Sequence, residues 1–515
     1  MTHGRGKPAR RTRITVLTAT VLAGGLLAAT PAVAVSGGTA VPAGTHPFLA
    51  RITTATKACS GALIDPSWLL TSASCLTATE SGASSEAATV TVGDTVTAKV
   101  AKVVRNPGRD VVLAKLAAPA TGVAPVAVGS TAPQAGETLQ VAGFGRTATD
   151  WVPARPRVAP FTVAGVQGSS VAISSADGVD TCKGDAGGPA FRVSGGTAEL
   201  VALSSTSWQH GCLDVTETRQ GGTETRVDDL GGWIHQHIVP TPVSCAAAGA
   251  AIWTARSDGS LWRYVHSSAA DGGLTWTTPN APIGSGWTGR TLAGKGGVIW
   301  DVHRNNSAAD PNPSGTLKRW VYSTSTGWSG GNDVGSGWAR YLTPEYANRI
   351  TVDQQNRIFM IDDQNRLKVY LWNDATGWWV NGVGDVLDTG WDRFDSITAA
   401  GDGVLYARKP TGELFRFQYD FTTSAWVERN KPVGVGWQMF SEIFSPGADI
   451  LYGRGSNGTS PWTGQPGPVL RWYRHSDNTD TWAPSGPDGM GVTVGSGWSA
   501  EVHVTAAPDS CKLTG

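Results

Sequence analysis

The stretch Thr181–Phe191, TCKGDAGGPAF, read together with the upstream stretch Ser60–Cys75, SGALIDPSWLLTSASC, decides how this chain folds. Around them, from Val35 to about Pro240, short runs rich in Val, Leu and Thr alternate with Gly, Pro, Asn and Asp, and no long helical periodicity occurs until Leu230–Ile238. That pattern predicts strands followed by one terminal helix. With 515 residues, 66 glycines and 16% charged residues, the chain is too long for one ordinary domain, and its composition points to turn-rich β architecture.

Working outward, residues 1–34 carry Arg10, Arg11 and Arg13, an apolar run from Ile14 to Ala29 and the small residues Ala32-Val33-Ala34. This is the form of a secretory signal cleaved after Ala34. The Arg10-Arg11 pair also admits twin-arginine export, and either route leads out of the cytoplasm. The apolar run is short and interrupted by Thr and Gly, with no second one downstream, so the mature chain is expected to be secreted, extracellular, free of the membrane and monomeric. Lys and Arg (41) balance Asp and Glu (41), which argues against a nucleic-acid partner. Six cysteines in an exported chain predict three disulfides. The nine histidines are scattered without ligand spacing, so no metal and no cofactor is expected.

The two quoted stretches, with VSGG at Val35, NPGRDVVLAKL at 106–116, AGFG at 142–145, STSWQHGC at 205–212 and GWIHQHI at 232–238, resemble the trypsin (chymotrypsin-type) serine protease family in the family's own order. The resemblance implies an all-β domain over residues 35–240, two antiparallel six-stranded barrels with the site between them. It places the catalytic triad at Ser74, Asp110 and Ala186, so the general-base histidine and the nucleophilic serine are both replaced, and only the acid remains. An imidazole must take and return the serine proton near neutral pH, and neither a hydroxyl nor a methyl group does so. Losing both partners costs on the order of a million-fold in turnover. Ser204, Ser205 and Ser207 are the alternative nucleophiles nearby, with no base beside them in sequence.

Other positions carry over from the same resemblance. The amides of Gly184 and Ala186 correspond to the pair that holds the oxyanion, and Asp185 to the acid that receives a freed N-terminal amine, which Val35 would supply after cleavage. Asp180 corresponds to the acid at the base of the primary specificity pocket, implying a Lys or Arg guest. Ser207, Trp208 and Gly222 correspond to pocket walls, and Gln209 replaces the usual glycine at the mouth. The family's bridges imply Cys59–Cys75 and Cys182–Cys212, which leaves Cys245 and Cys511 at the two ends of the second half.

Residues 241–245 read as a short linker, IVPTPVSC being Pro-rich. Beyond it, residues 246–515 hold all but four of the 22 tryptophans and repeat about every fifty residues. The repeats end in GSGW at Trp287, GSGW at Trp338, DTGW at Trp391, GVGW at Trp437 and GSGW at Trp498. Each begins with a strand such as AIWTA or RIFMI, followed by a polar turn and a strand such as LWRYV or LKVYL, so one four-stranded blade per repeat gives a five-bladed β-propeller. EVHVTAAP after Trp498 resembles the opening strand that the first repeat lacks, so the C-terminus is expected to complete the first blade and bring Cys245 to Cys511.

The GxGW turns and aromatic strands resemble the tachylectin family of five-bladed lectin propellers, which implies sites for N-acetylated amino sugars between blades. Asn305, Asn306, Asp362 and Asn365 are the polar loop candidates. The expected function is a secreted carbohydrate-binding, lectin-like protein that recognises an amino-sugar glycan or cell-wall polymer and carries a catalytically inactive trypsin-like domain able to bind a peptide or protein with Lys or Arg. The alternatives are an active secreted trypsin-like endopeptidase targeted to glycan surfaces by its propeller, and a decoy that engages peptides through Asp180 without cutting them.

Overall fold

The computed structural model describes residues 35–77, 87–93, 95–175, 179–304, 315–460, 463–483 and 491–514. In the first half, strands Leu49–Thr53, Ala58–Asp65, Trp68–Thr71, Val112–Leu116, Val96–Arg105 and Thr89–Val92 close into a barrel. A second barrel runs Thr138–Gly143, Arg157–Gln167, Ser170–Ser174, Gly222–Arg226, Thr197–Ser207 and Pro189–Ser194, returning to Thr138–Gly143. Alternating apolar residues fill both interiors: Leu63, Leu70 and Leu113 in the first, Val141, Phe161 and Val201 in the second, all fully buried. The two barrels meet where the Ser60 amide donates to the Ala186 carbonyl at 3.0 Å. The terminal helix spans Gly231–Ile238 and stops before Pro240, with the Val239 amide closing its last turn on His235.

The second half is five sheets around an axis. Their innermost strands, Arg290–Ala293, Ile350–Val352, Ser396–Ala399, Phe440–Gly447 and Glu501–Ala506, neighbour one another in a closed ring. The last of these pairs antiparallel with Ala250–Arg256 and so supplies the inner strand of the first blade. Val243–Cys245 pairs with Cys511–Leu513, and Cys245 is bonded to Cys511. Thus part of the segment read as a linker is a strand of the closure. Cys59–Cys75 and Cys182–Cys212 are the other two bridges.

The GxGW repeat has a steric cause. A side chain at Gly284, Gly335 or Gly434 would put its Cβ 2.6–2.7 Å from the indole nitrogen of the tryptophan three residues on. The second glycine of each turn, Gly286, Gly337, Gly390, Gly436 and Gly497, has φ between 75° and 87°, the left-handed region. Each tryptophan then packs into the boundary with the next blade.

The domains are docked. Lys115 Nζ donates to the carbonyls of Thr479 and Asp480 at 2.6 and 2.7 Å, and Asn478 Nδ2 donates to the carbonyls of Gln236 and Val239 at 2.9 and 2.6 Å. One turn of the fifth blade is therefore seated against the first barrel and the end of the helix.

Candidate functional site

At the triad positions, the Asp110 carboxylate accepts hydrogen bonds from the Ser74 amide (3.1 Å), the Ser72 hydroxyl (2.7 Å) and the Ser205 hydroxyl (3.2 Å). Ser72 Oγ and Ser74 Oγ lie 2.7 Å apart. The acid is thus satisfied by hydroxyls and an amide, none of which titrates near neutrality. Ser205 belongs to this network, Ser204 Oγ donates to Glu224 at 3.1 Å and Ser207 Oγ to the Thr181 carbonyl at 2.5 Å, so each alternative hydroxyl is committed to a structural bond.

The loop bearing Ala186 is fixed by small residues. Gly184 has φ +101° and sits so close to Gly145 that a Cβ would meet its Cα at 2.8 Å. The Lys183 carbonyl accepts from the Arg146 amide at 2.9 Å and the Asp185 carbonyl from the Gly188 amide at 2.8 Å. Because a trans peptide points its carbonyl and its amide in opposite directions, these bonds turn the Gly184 and Ala186 N–H groups away from those partners. Asp185 is 1% exposed and accepts from the amides of Gly145 (2.7 Å) and Cys182 (2.8 Å); burial pushes its carboxyl up to about 7. Val35 is wholly buried in the second barrel's core, and Ser36 bridges to Asp180.

Asp180 is wholly buried and is held by the amides of Thr181 (2.8 Å) and His210 (3.0 Å), while burial raises its pKa. Gly222 pairs with Ser207 beside it. Two contacts that sequence reading missed involve the residues matched to the pocket wall and mouth. Arg146 Nη2 donates to Gln209 Oε1 at 2.9 Å, with Gln209 in the left-handed region at φ 61°. The Arg219 guanidinium lies 3.6 Å from the centroid of the half-exposed Trp208 ring and is paired with Glu217. Glu224 was also missed: it is 1% exposed, and burial pushes it up to about 8. The available signals were Gln209 at the position of a usual glycine and the long side chains flanking the matched positions.

In the propeller, each blade boundary stacks aromatic rings from both sides. Trp287 meets Trp320 and Trp328, Trp338 meets Tyr370 and Trp379, Trp391 meets Phe417, Trp437 meets Tyr473 and Trp482, and Trp498 meets Tyr264 and Trp276, at centroid distances of 4.7–6.2 Å. At four boundaries the second tryptophan donates across to the preceding blade: Trp276 to Val494, Trp328 to Ile283, Trp379 to Val334 and Trp482 to Val433, at 2.6–2.7 Å. Among the described residues, clefts open at two of the boundaries. One of about 460 Å³ has Trp338, Tyr370 and Trp379 beside Arg340, Asp362, Arg366 and Lys368. The other, about 410 Å³, has Tyr264, Trp276 and Trp498 beside Arg256 and Glu501. Asp362 lines the first cleft but is tied to Arg366 at 2.6 Å, and Asn365 is a left-handed turn residue at φ 57°. Asn305 and Asn306 lie outside the described residues. The third repeat departs from the others: Asp388 replaces the first glycine, accepts from Trp391 Nε1 at 3.1 Å and pairs with Arg429 at 2.5 Å.

Two closed barrels meeting at a triad-like network, followed by a ring of five aromatic-seamed blades, define the class: a serine-protease-like domain joined to a lectin-like propeller. Comparison with protein-family models agrees. The Trypsin family model matches residues 35–234 and the Tachylectin family model residues 254–503, so the chain carries a trypsin-like domain and a tachylectin-like domain. The curated mouse protein "Serine protease 56" is 27% identical over 241 residues, covering 40% of this chain and 39% of that protein. Among solved structures, neuropsin, a serine protease expressed in the limbic system of mouse brain, aligns with 20% identity and a TM-score of 0.32 over 39% of this chain and 97% of that one.

Proposed function

We propose that this chain is a secreted carbohydrate-binding protein whose propeller holds an amino-sugar-bearing polymer and whose trypsin-like domain does not cut peptide bonds. The observation that carries the first part is the recurrence of one aromatic cleft at blade boundaries, open at the Trp338–Trp379 and Trp498–Trp276 seams. Indole and phenol rings supply apolar faces for a pyranose, and the charged walls supply directional hydrogen bonds. Several such clefts on one rigid ring multiply weak binding on a repetitive glycan, because the second contact forms at high effective concentration. The three disulfides and the signal-like residues 1–34 accord with an extracellular site of action.

The second part rests on residue identity: Ala186 has no attacking oxygen, and Ser74 has no basic form at neutral pH. Arg219 stacked on Trp208, the Arg146–Gln209 bond and the burial of Asp180 support the same reading, since they fall on the residues matched to the specificity pocket. The test has two arms. The purified chain is expected to be retained on chitin or peptidoglycan and released by free N-acetylglucosamine, and to take no label from a serine-directed phosphonate probe. Failure to bind any glycan on an array removes the lectin reading, and covalent labelling removes the inactivity.

A further inference from the structure

The fifth blade departs from the repeat at one strand position. Ala251, Val298, Arg357, Val404 and Ile450 are equivalent in the five blades, and the residues that pair with them are Val265, Val321, Leu371, Gln418 and Arg474. Blade five alone places a cation there. Arg474 is half-buried, forms no ion pair among the described residues and donates through Nη2 to the Thr241 carbonyl, while its buried Nε has no acceptor. The next two residues are also incompletely bonded. His475 is 1% exposed and lies 3.4 Å from Asp480 through Nε2, but its Nδ1 has no partner, and the hydroxyl of the buried Ser476 has none either. His266, the counterpart of His475 in the first blade, has both ring nitrogens bonded, to the Tyr452 hydroxyl and the Gly273 carbonyl.

Arg474, His475 and Ser476 line one cavity of about 340 Å³, a volume suited to a small molecule, and the exposed Asp402 and Lys512 among its lining residues connect it to solvent. Its carboxylates already have partners. Asp449 accepts from Arg416 Nε at 2.9 Å and from the Tyr406 hydroxyl at 2.6 Å, Asp477 accepts from Lys431 Nζ at 2.5 Å, and Asp402 is paired with Arg357. Arg416, the third cation of the lining, is shared between Asp449 and Asp477. The charge left unmatched is therefore positive: Arg474, and Lys512, which forms no ion pair among the described residues. Buried polar atoms are costly when they lack partners, so a cavity bordered by three residues that carry them favours a ligand supplying the missing bonds.

We propose that this cavity binds a small hydroxycarboxylate, either a free hydroxy acid or an acidic sugar. Arg474 and Lys512 supply the positive charge for the carboxylate, and a charged acceptor on the guanidinium is stronger than the neutral carbonyl it now meets. With the His475 ring proton on the nitrogen facing Asp480, Nδ1 accepts from a ligand hydroxyl, and Ser476 Oγ donates to or accepts from another. A neutral sugar offers the hydroxyls but leaves the two cations unmatched. The lining includes no Trp, Tyr or Phe among the described residues, unlike the clefts at the Trp338 and Trp498 seams, so the site does not depend on the amino-sugar reading of those clefts.

The test is equilibrium dialysis of the full chain at pH 7 and constant ionic strength against ¹⁴C-labelled glucuronate, lactate and glucose, with saturating N-acetylglucosamine present to occupy the aromatic clefts. Saturable binding of an acid is expected, and none of glucose. Glucuronate held at least tenfold more tightly than lactate assigns the site to acidic sugars, and any smaller difference assigns it to free hydroxy acids. Arg474→Leu, which installs the residue that the third blade carries at this position, should weaken binding of the acid at least tenfold, and Ser476→Ala at least threefold. No saturable binding of either acid to the parent protein, glucose bound as tightly as the acids, or undiminished affinity in Arg474→Leu overturns the proposal. The first two outcomes are read on the parent chain and stand whatever the variants do.

Discussion

The bridge Cys245–Cys511 joins residues 266 apart and fastens the two ends of the propeller. In the chain-entropy account, a cross-link over so long a loop removes about 5 kcal/mol of denatured-state freedom. The noncovalent part of the closure, Glu501–Ala506 on Ala250–Arg256 and Cys511–Leu513 on Val243–Cys245, must otherwise be formed across the same loop. For a domain of this size each kcal/mol moves the midpoint by about 2–4 °C, so Cys245→Ala with Cys511→Ala should lower the propeller's Tm by roughly 10–20 °C. Tryptophan fluorescence isolates that transition, since all but four of the 22 tryptophans lie in this half. The variant keeps the Cys59–Cys75 and Cys182–Cys212 bridges, so the first domain's transition serves as the internal reference. A propeller midpoint within about 3 °C of the parent would refute the reasoning, because it would mean that sheet pairing alone holds the ring shut.

Gly335→Ala drives a methyl group into the Trp338 indole and should cost about 1–3 kcal/mol, with loss of sugar binding at that boundary, measured by thermal melts and calorimetric titration. Glu224 ionises near 4.5 in the unfolded chain but near 8 when folded, so the native state holds the extra proton between those values; stability of the first domain falls as pH rises from about 4.5 to about 8, and Glu224→Gln should flatten that slope in urea melts. Ser74→His combined with Ala186→Ser places base and nucleophile beside Asp110 and should yield phosphonate labelling that neither single change gives; equal labelling of the singles contradicts the triad assignment. Asp388→Gly with Arg429→Ala removes the ion pair that spans the third boundary and should add one sugar site by titration stoichiometry, and an unchanged stoichiometry contradicts the cleft assignment.

The fold was legible because its signals are local and repeated. GDAGGPAF and the SGALI strand announce the double barrel, and five Gly-Trp turns announce five blades, since the steric demand of each indole is written into the adjacent glycine. The late start of the first repeat foretold the closing strand. Gln209 was legible as a bulky replacement at a pocket position, but its partner Arg146 and the stacking of Arg219 on Trp208 were not, because long side chains reach distances set by tertiary packing and not by sequence spacing. Asp388 was visible as the one departure from GxGW, but its pairing with Arg429, a residue of the following blade, required the structure. Nor did composition foretell that a turn at 477–480 would seat on Lys115 and the terminal helix.

The first blade is assembled from opposite ends of its repeat array. During synthesis, the strand Ala250–Arg256 emerges some two hundred and fifty residues before its inner neighbour Glu501–Ala506, and until then it presents an open row of amides and carbonyls. Two immature arcs held near each other offer one another the strand each is waiting for. Exchange of that strand between copies, giving intertwined dimers, is therefore the misfolding route this architecture favours when folding is crowded or slow.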